Sequence, residues 1–146
     1  MIKTFRGLLA DDGQDRIRLS TKKGKIGYKI INFQIMGQEP GEGAMEHTMK
    51  IFKIKQTSVT NTIDFSDGNL LGMAYLQDDA GAHYPASVQV IFEQEIFNQD
   101  IYITHVDTNA ALPCSYYLEL ETMSLTDNAA SVSTLRDIRL NPQVGA

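Results

Sequence analysis

The chain has 146 residues, 42% of them apolar and 21% charged, with a net charge of −5, one cysteine and no tryptophan. That length fits a single domain, residues 1–146, with enough chain to bury a core without a metal or disulfide staple. Cys114 has no partner for an intrachain disulfide, so folding does not call for an oxidising compartment, and its place before an apolar run reads as a small buried hydrophobe. No run approaches the roughly 18 consecutive apolar residues of a membrane span, and residues 1–13 lack a signal-peptide pattern. The expectation is a protein made in a cytoplasm that needs no membrane.

Charge is unevenly placed. Residues 1–56 hold 11 of the 13 Lys and Arg but 6 of the 18 acids, a net of +5, and the remainder carries −10. Such asymmetry points to a nucleic-acid face, to complementary surfaces between copies, or simply to two differently charged surfaces.

In chain order, residues 3–10 read as a first strand and 11–15, with Asp12-Gly13, as its turn. Residues 16–20 alternate Arg16, Arg18 and Ser20 with Ile17 and Leu19, a strand with one solvated face. After a turn at 21–24, residues 26–36 form a long central strand. Strict alternation would turn Lys29, Ile31, Phe33 and Ile35 one way and Tyr28, Ile30, Asn32, Gln34 and Met36 the other. Residues 37–44 (GQEPGEGA) form an exposed, flexible loop. In 47–56 the apolar phase changes between Ile51 and Phe52, which predicts a bulge. A polar turn at 57–62 leads to a short run at 63–65. Residues 67–76 are the best helix candidate, with Asp67 as N-cap and Gly72 against it.

The three runs within 88–125 carry the clearest period-2 signal. Val88, Val90 and Phe92 alternate in the first, Ile101 and Ile103 in the second, and Tyr116, Leu118 and Leu120 in the third. Turn formers and Pro113 separate the last two. Residues 131–138 fit a helix or a strand end, and the tail from 141 is expected to fray. About eight short strands without βαβ alternation, and at most one or two short helices, predict an all-β antiparallel sandwich of jelly-roll type.

Chemistry is harder to find. His47, His83 and His105 are far apart in sequence, without metal-pair spacing, and His105 reads as a surface or edge histidine. Asp64 and Asp67 echo a calcium loop, but the oxygen offsets are wrong. Glu119 and Glu121, about 7 Å apart on one strand face, read as a solvated face rather than an acid–base pair. Arg16, Arg18, Lys22, Lys23 and Lys25 form a basic cluster near Phe5, Tyr28 and Phe33 that would suit phosphate contact. The acidic net charge and a pI of about 5.1 argue against nucleic acid. Neither a cofactor nor a small-molecule substrate is expected, and no enzyme activity.

Three stretches carry a resemblance: GQDRIRLSTKKGKIGYKIINFQIM (13–36), IFKIKQTSVTNTIDFSDGNLLGMAYLQDD (51–79) and IFNQDIYITHVDTNAALPCSYYLELETMSL (96–125). Together they cover most of the chain. They resemble small virion structural proteins of tailed, largely marine, bacteriophages, a group with no catalytic motif to transfer residue by residue. The resemblance implies a virion component, with other copies of the chain and a major capsid protein as partners. A capsid cement or decoration protein is the leading expectation. A minor capsid, head-vertex or tail-attached protein, or a carbohydrate- or ligand-binding sandwich, are the alternatives, and a hydrolase stands behind them. The expected interaction surfaces are the basic residues Arg16, Arg18, Lys22, Lys23 and Lys25, the loop residues Gln38, Glu39, Pro40 and Glu42, and the acidic pair Glu119 and Glu121.

Overall fold

Alternation from Cys114 onward sets the architecture of the chain, seen in a computed structural model that describes residues 1–41, 44–78 and 86–126. Strand β8 (Cys114–Ser124) buries Cys114, Tyr116, Leu118 and Leu120 and turns Tyr117, Glu119 and Glu121 away from the core. It is the middle strand of a three-stranded sheet, between β1 (Ile2–Leu9) and β3 (Ile26–Gly37), antiparallel to both. A second sheet runs in the order β2 (Gln14–Ile17), β7 (Ile101–Asp107), β4 (Met45–Phe52), β5 (Leu70–Asp78), β6 (Ala86–Ile91). The inward faces of the two sheets meet in one core that includes Tyr28, Phe33, Met49, Ile51, Leu71, Ile101, Ile103 and Leu118. Each such side chain contributes on the order of 1.5–3 kcal/mol through its burial.

The strand order is that of a jelly roll. β1, β8 and β3 lie side by side in one sheet, and β2, β7, β4 and β5 in the other. The sixth strand departs from the full pattern, because β6 stays hydrogen-bonded to β5. The chain after it then crosses to β3, where Phe97 and Tyr28 exchange backbone hydrogen bonds of 2.8 and 3.0 Å.

Two bulges decide which residues face inward. The β3–β8 register shifts between Ile30 and Asn32, so the buried positions jump from Tyr28 and Ile30 to Phe33 and Ile35. Strict alternation along 26–36 is thereby corrected: an unpaired Ile31 changes the phase. The bulge expected within 47–56 falls on the neighbouring strand instead: Ile51 and Phe52 pair with Gly72 and Leu70, so Leu71 of β5 is the extra residue, while β4 stays in register with β7 and keeps its alternation.

The helix expected at 67–76 is instead a short turn followed by β5. Leu71, Met73, Ala74 and Leu76 are all buried, the continuous apolar run of an inner strand with β4 on one side and β6 on the other. At Gly72 a side chain would begin 3.1 Å from the Val90 carbonyl oxygen, so the glycine serves close strand packing. Residues 63–65 form no strand, and Asp64 and Asp67 cap the turn there rather than frame a cation. Asp64 Oδ1 accepts from the Ser66 amide at 2.9 Å and its hydroxyl at 2.6 Å, and Asp67 Oδ1 accepts from the Asn69 amide at 2.9 Å. The expectations for 131–138 and for the tail lie outside the described residues.

Buried aspartates bracket β7. Before it, Asp100 accepts from the Leu19 and Ser20 amides at 2.7 and 2.8 Å and from Arg16 Nε at 2.7 Å. Residues 18–20 therefore bind a carboxylate instead of extending β2. At its end, Asp107 accepts from four amides, those of Glu46, Asn109, Ala110 and Leu112, at 2.9–3.3 Å. Burial opposes ionisation of Asp107, but the amides outweigh it and hold the carboxyl below its usual range.

Because the folded pKa of Asp107 is depressed, the unfolded chain takes up its proton first as pH falls. Its stabilisation is present above about pH 4 and is lost as pH drops through the folded value. Urea unfolding should show a steep acid loss that flattens in Asp107→Asn, with a cost at neutral pH of about 1–3 kcal/mol. The same measurement should rank Asp100→Ala, which strands two amides, as costlier than Arg16→Ala, which removes one partly exposed partner.

Candidate functional site: outer faces, edges and a buried histidine pair

The expected surface residues separate into three places. Arg18, Lys22, Lys23 and Lys25 are exposed on the connection from β2 to β3. That loop turns at Gly24, whose φ of 63° suits glycine, and is anchored where Asn98 Nδ2 donates to the Gly24 carbonyl at 3.0 Å. Arg16 stands apart from them, committed to Asp100. Gln38, Glu39 and Pro40 are exposed beyond the other end of β3, about 36 Å away at ordinary strand rise. Glu42 lies outside the described residues. The basic loop and the 38–40 segment thus do not form one surface.

Glu119 and Glu121 lie between these ends, on the outward face of β8. Glu119 accepts from Tyr117 Oη at 2.7 Å, and Glu121 pairs with Lys29 Nζ at 3.4 Å. The cross-strand rows on this face read Thr4–Glu119–Asn32, Arg6–Tyr117–Gln34 and Leu8–Ser115–Met36. Leu8 and Met36 are 47% and 58% exposed, giving that end of the face an apolar rim. The charge asymmetry of the sequence does not become two opposed surfaces. Lys29–Glu121, Arg16–Asp100 and Lys53–Glu95 all join the basic first part to the acidic remainder within one chain.

Strand β6 (Ala86–Ile91) is the run expected from Val88, Val90 and Phe92, and what the sequence did not show is its position in the sheet. Its six residues, ASVQVI, include no charge, and the first four are exposed, Val88 by 53%. It is the terminal strand of the five-stranded sheet, paired only with β5 among the described residues. Sheet edges are ordinarily blunted by lysine, proline or a bulge, and this one shows none within the strand. The uncharged run was visible in the sequence; its place at an edge was not.

His47 and His105 are corrected most sharply. Neither is at the surface: both are fully buried, with His47 Nδ1 2.9 Å from His105 Nε2 and the rings 5.0 Å apart. His105 Nδ1 lies 3.0 Å from the Ala10 carbonyl oxygen. Strand parity gave the available signal, since His105 follows Ile103 by two residues and His47 precedes Met49 by two. Burial, then the neighbouring His105, lowers the pKa of His47, so its ring is neutral at physiological pH. Cys114 is buried beside them, and burial pushes its thiol up to about 12, which makes it inert as a nucleophile.

A pocket lies over the other face of β4, lined by Lys50, Phe52, Gln56, Thr60, Thr62, Asp64, Asp67 and Leu70. Lys50 Nζ donates to the Thr62 carbonyl at 2.6 Å and sits over the Phe52 ring. The lysine is thereby spent on holding the 53–69 connection against the sheet. No helix of the described residues is long and apolar enough to cross a membrane.

No model of a known protein family matches the chain, and no curated protein matches it. Among solved structures it is similar to the Yersinia pseudotuberculosis-derived mitogen, at 11% identity and a TM-score of 0.30, over 87% of each chain.

Proposed function

We propose that the chain is a non-enzymatic structural protein of a phage particle, a cement or decoration protein that covers or stabilises the shell through contacts between copies and with a major capsid protein. The observation that carries this reading is the edge of β6, which pairs only with β5 among the described residues. Six uncharged residues with one strand partner favour continuation of the sheet into a second molecule. A second copy suits it best: two β6 strands related by a two-fold axis bring no like charges together, and each offers the other the same backbone donors and acceptors. The jelly-roll order agrees, since such modules are common in capsids. So does the resemblance of residues 13–36, 51–79 and 96–125 to virion proteins. Attraction between a basic and an acidic half has a smaller part, because Arg16, Lys29 and Lys53 of the basic part already pair with acids of the remainder within the chain.

Light scattering of the purified chain should give a discrete oligomer at both ~50 and ~500 mM salt, a range over which exposed ion pairs weaken but backbone pairing does not. Val88→Lys, which sets like charges face to face across the two-fold, should return a folded monomer whose melting temperature no longer depends on protein concentration. A wild-type monomer at both salts would remove the self-assembly. Purified particles should contain the chain in fixed proportion to the major shell protein, and its absence from them would overturn the virion role.

A further inference from the structure

The histidine pair fixes its own protons. A carbonyl oxygen can only accept, so the 3.0 Å contact makes His105 Nδ1–H the donor to Ala10. With His105 Nε2 as the acceptor, His47 Nδ1–H donates to it at 2.9 Å. That leaves His47 Nε2 as a lone pair, fully buried and without a partner among the described residues. An unmet buried acceptor is costly, and a native structure that keeps one has a use for it or something to place there.

What faces this nitrogen is the empty side of Gly37. A side chain begun at Gly37 would meet His47 Nε2 at 3.1 Å and Met45 Sδ at 3.5 Å. Gly37 is also the register partner of Cys114, and residues paired across an antiparallel ladder project to the same side of the sheet. Cys114 is therefore on this side too, and the two imidazoles and the thiol each place a ligand atom within 4.8 Å of the others. An imidazole nitrogen, a thiol and a thioether thus lie on one side of Gly37, with His105 behind to fix the orientation and tautomer of His47.

We infer that this spot binds one soft monovalent metal ion, Cu(I), through His47 Nε2 and Cys114 Sγ, with Met45 Sδ as the third ligand. Thiolate and thioether sulfur select soft ions. Zn(II) is the poorer match: it takes four ligands from Cys, His and carboxylates, and with His105 committed to His47 only two such groups reach the spot. Cu(I) with one thiolate also sums to zero charge, which a fully buried site tolerates and a divalent ion would not. On binding, the Cys114 S–H bond breaks, an S–Cu bond forms, and the proton leaves to solvent. The ion remains Cu(I), so no oxidant or reductant is needed. The thiol also gives up its present contact with the Met36 carbonyl, 3.4 Å away.

The test is an anaerobic titration of the full chain with Cu(I) against a chromophoric Cu(I) chelator, followed by X-ray absorption of the loaded protein. About one ion per chain should bind, with sulfur and nitrogen in the first shell. Gly37→Ala keeps every ligand but fills the space, and it should weaken binding at least about 100-fold, as should Cys114→Ser. Arg18→Ala, on the exposed basic loop, should bind as the wild type does. Circular dichroism identifies any variant that fails to fold; Gly37→Ala and Cys114→Ser are then compared with wild type at matched folded fraction. Failure of the folded wild type to take up Cu(I), equal binding by these variants, a first shell without sulfur, or displacement of Cu(I) by equimolar Zn(II) would each overturn the assignment.

Discussion

The register of β8 is the constraint on which the sandwich depends. Cys114, Tyr116, Leu118 and Leu120 face the core only while Leu9 and Gly37 sit opposite Cys114 on its two sides. A slip of one residue would exchange them for Ser115, Tyr117, Glu119 and Glu121, placing two carboxylates in an apolar interior. The apolar pattern therefore specifies the pairing as well as the strand. The bulge at Ile31 belongs to the same requirement, because it restores the phase of β3 so that Phe33 and Ile35 reach the core opposite Leu118 and Tyr116.

Polar groups inside the sandwich hold its connections in place. Asp100 and Asp107 stand at the two ends of β7, and each gathers backbone amides that no strand ladder satisfies. One fixes the exit from β2; the other ties the start of β4 to the loop before β8. Lys50 does similar work for the long connection between β4 and β5. Buried groups of this kind are stabilising only when their partners are complete, which gives His47 Nε2 its interest, as one of the buried polar atoms left unmet among the described residues, with Asn69 Oδ1 and Thr104 Oγ1.

The outward surfaces have a different character. Several acidic groups that carry chemistry by residue type are committed to structural partners, Asp64 and Asp67 to turn amides and Glu119 to Tyr117. Against that background the uncharged edge of β6 stands out as a surface suited to continuation rather than to solvent. Assembly through β6 and ion binding beside Gly37 use separate strands, so either can hold without the other.

Much of the fold was legible in the sequence. The alternation at 101–103 and 116–121 and the all-β jelly-roll reading follow from side-chain period and turn chemistry, which are local. The 67–76 segment was misread because a continuous apolar run suits a buried helix and an inner strand alike, and only the presence of β4 and β6 on either side decides between them. Charge followed the same rule: a basic first part and an acidic remainder looked like two surfaces until the strand order interleaved them. His47 and His105 are 58 residues apart, and nothing local to either one announces the other. Period and turn residues act between near neighbours and so are written in the sequence. The edge position of β6 among the described residues, the histidine pair and the close approach at Gly37 arise from which strands lie side by side, and that was settled by tertiary packing alone.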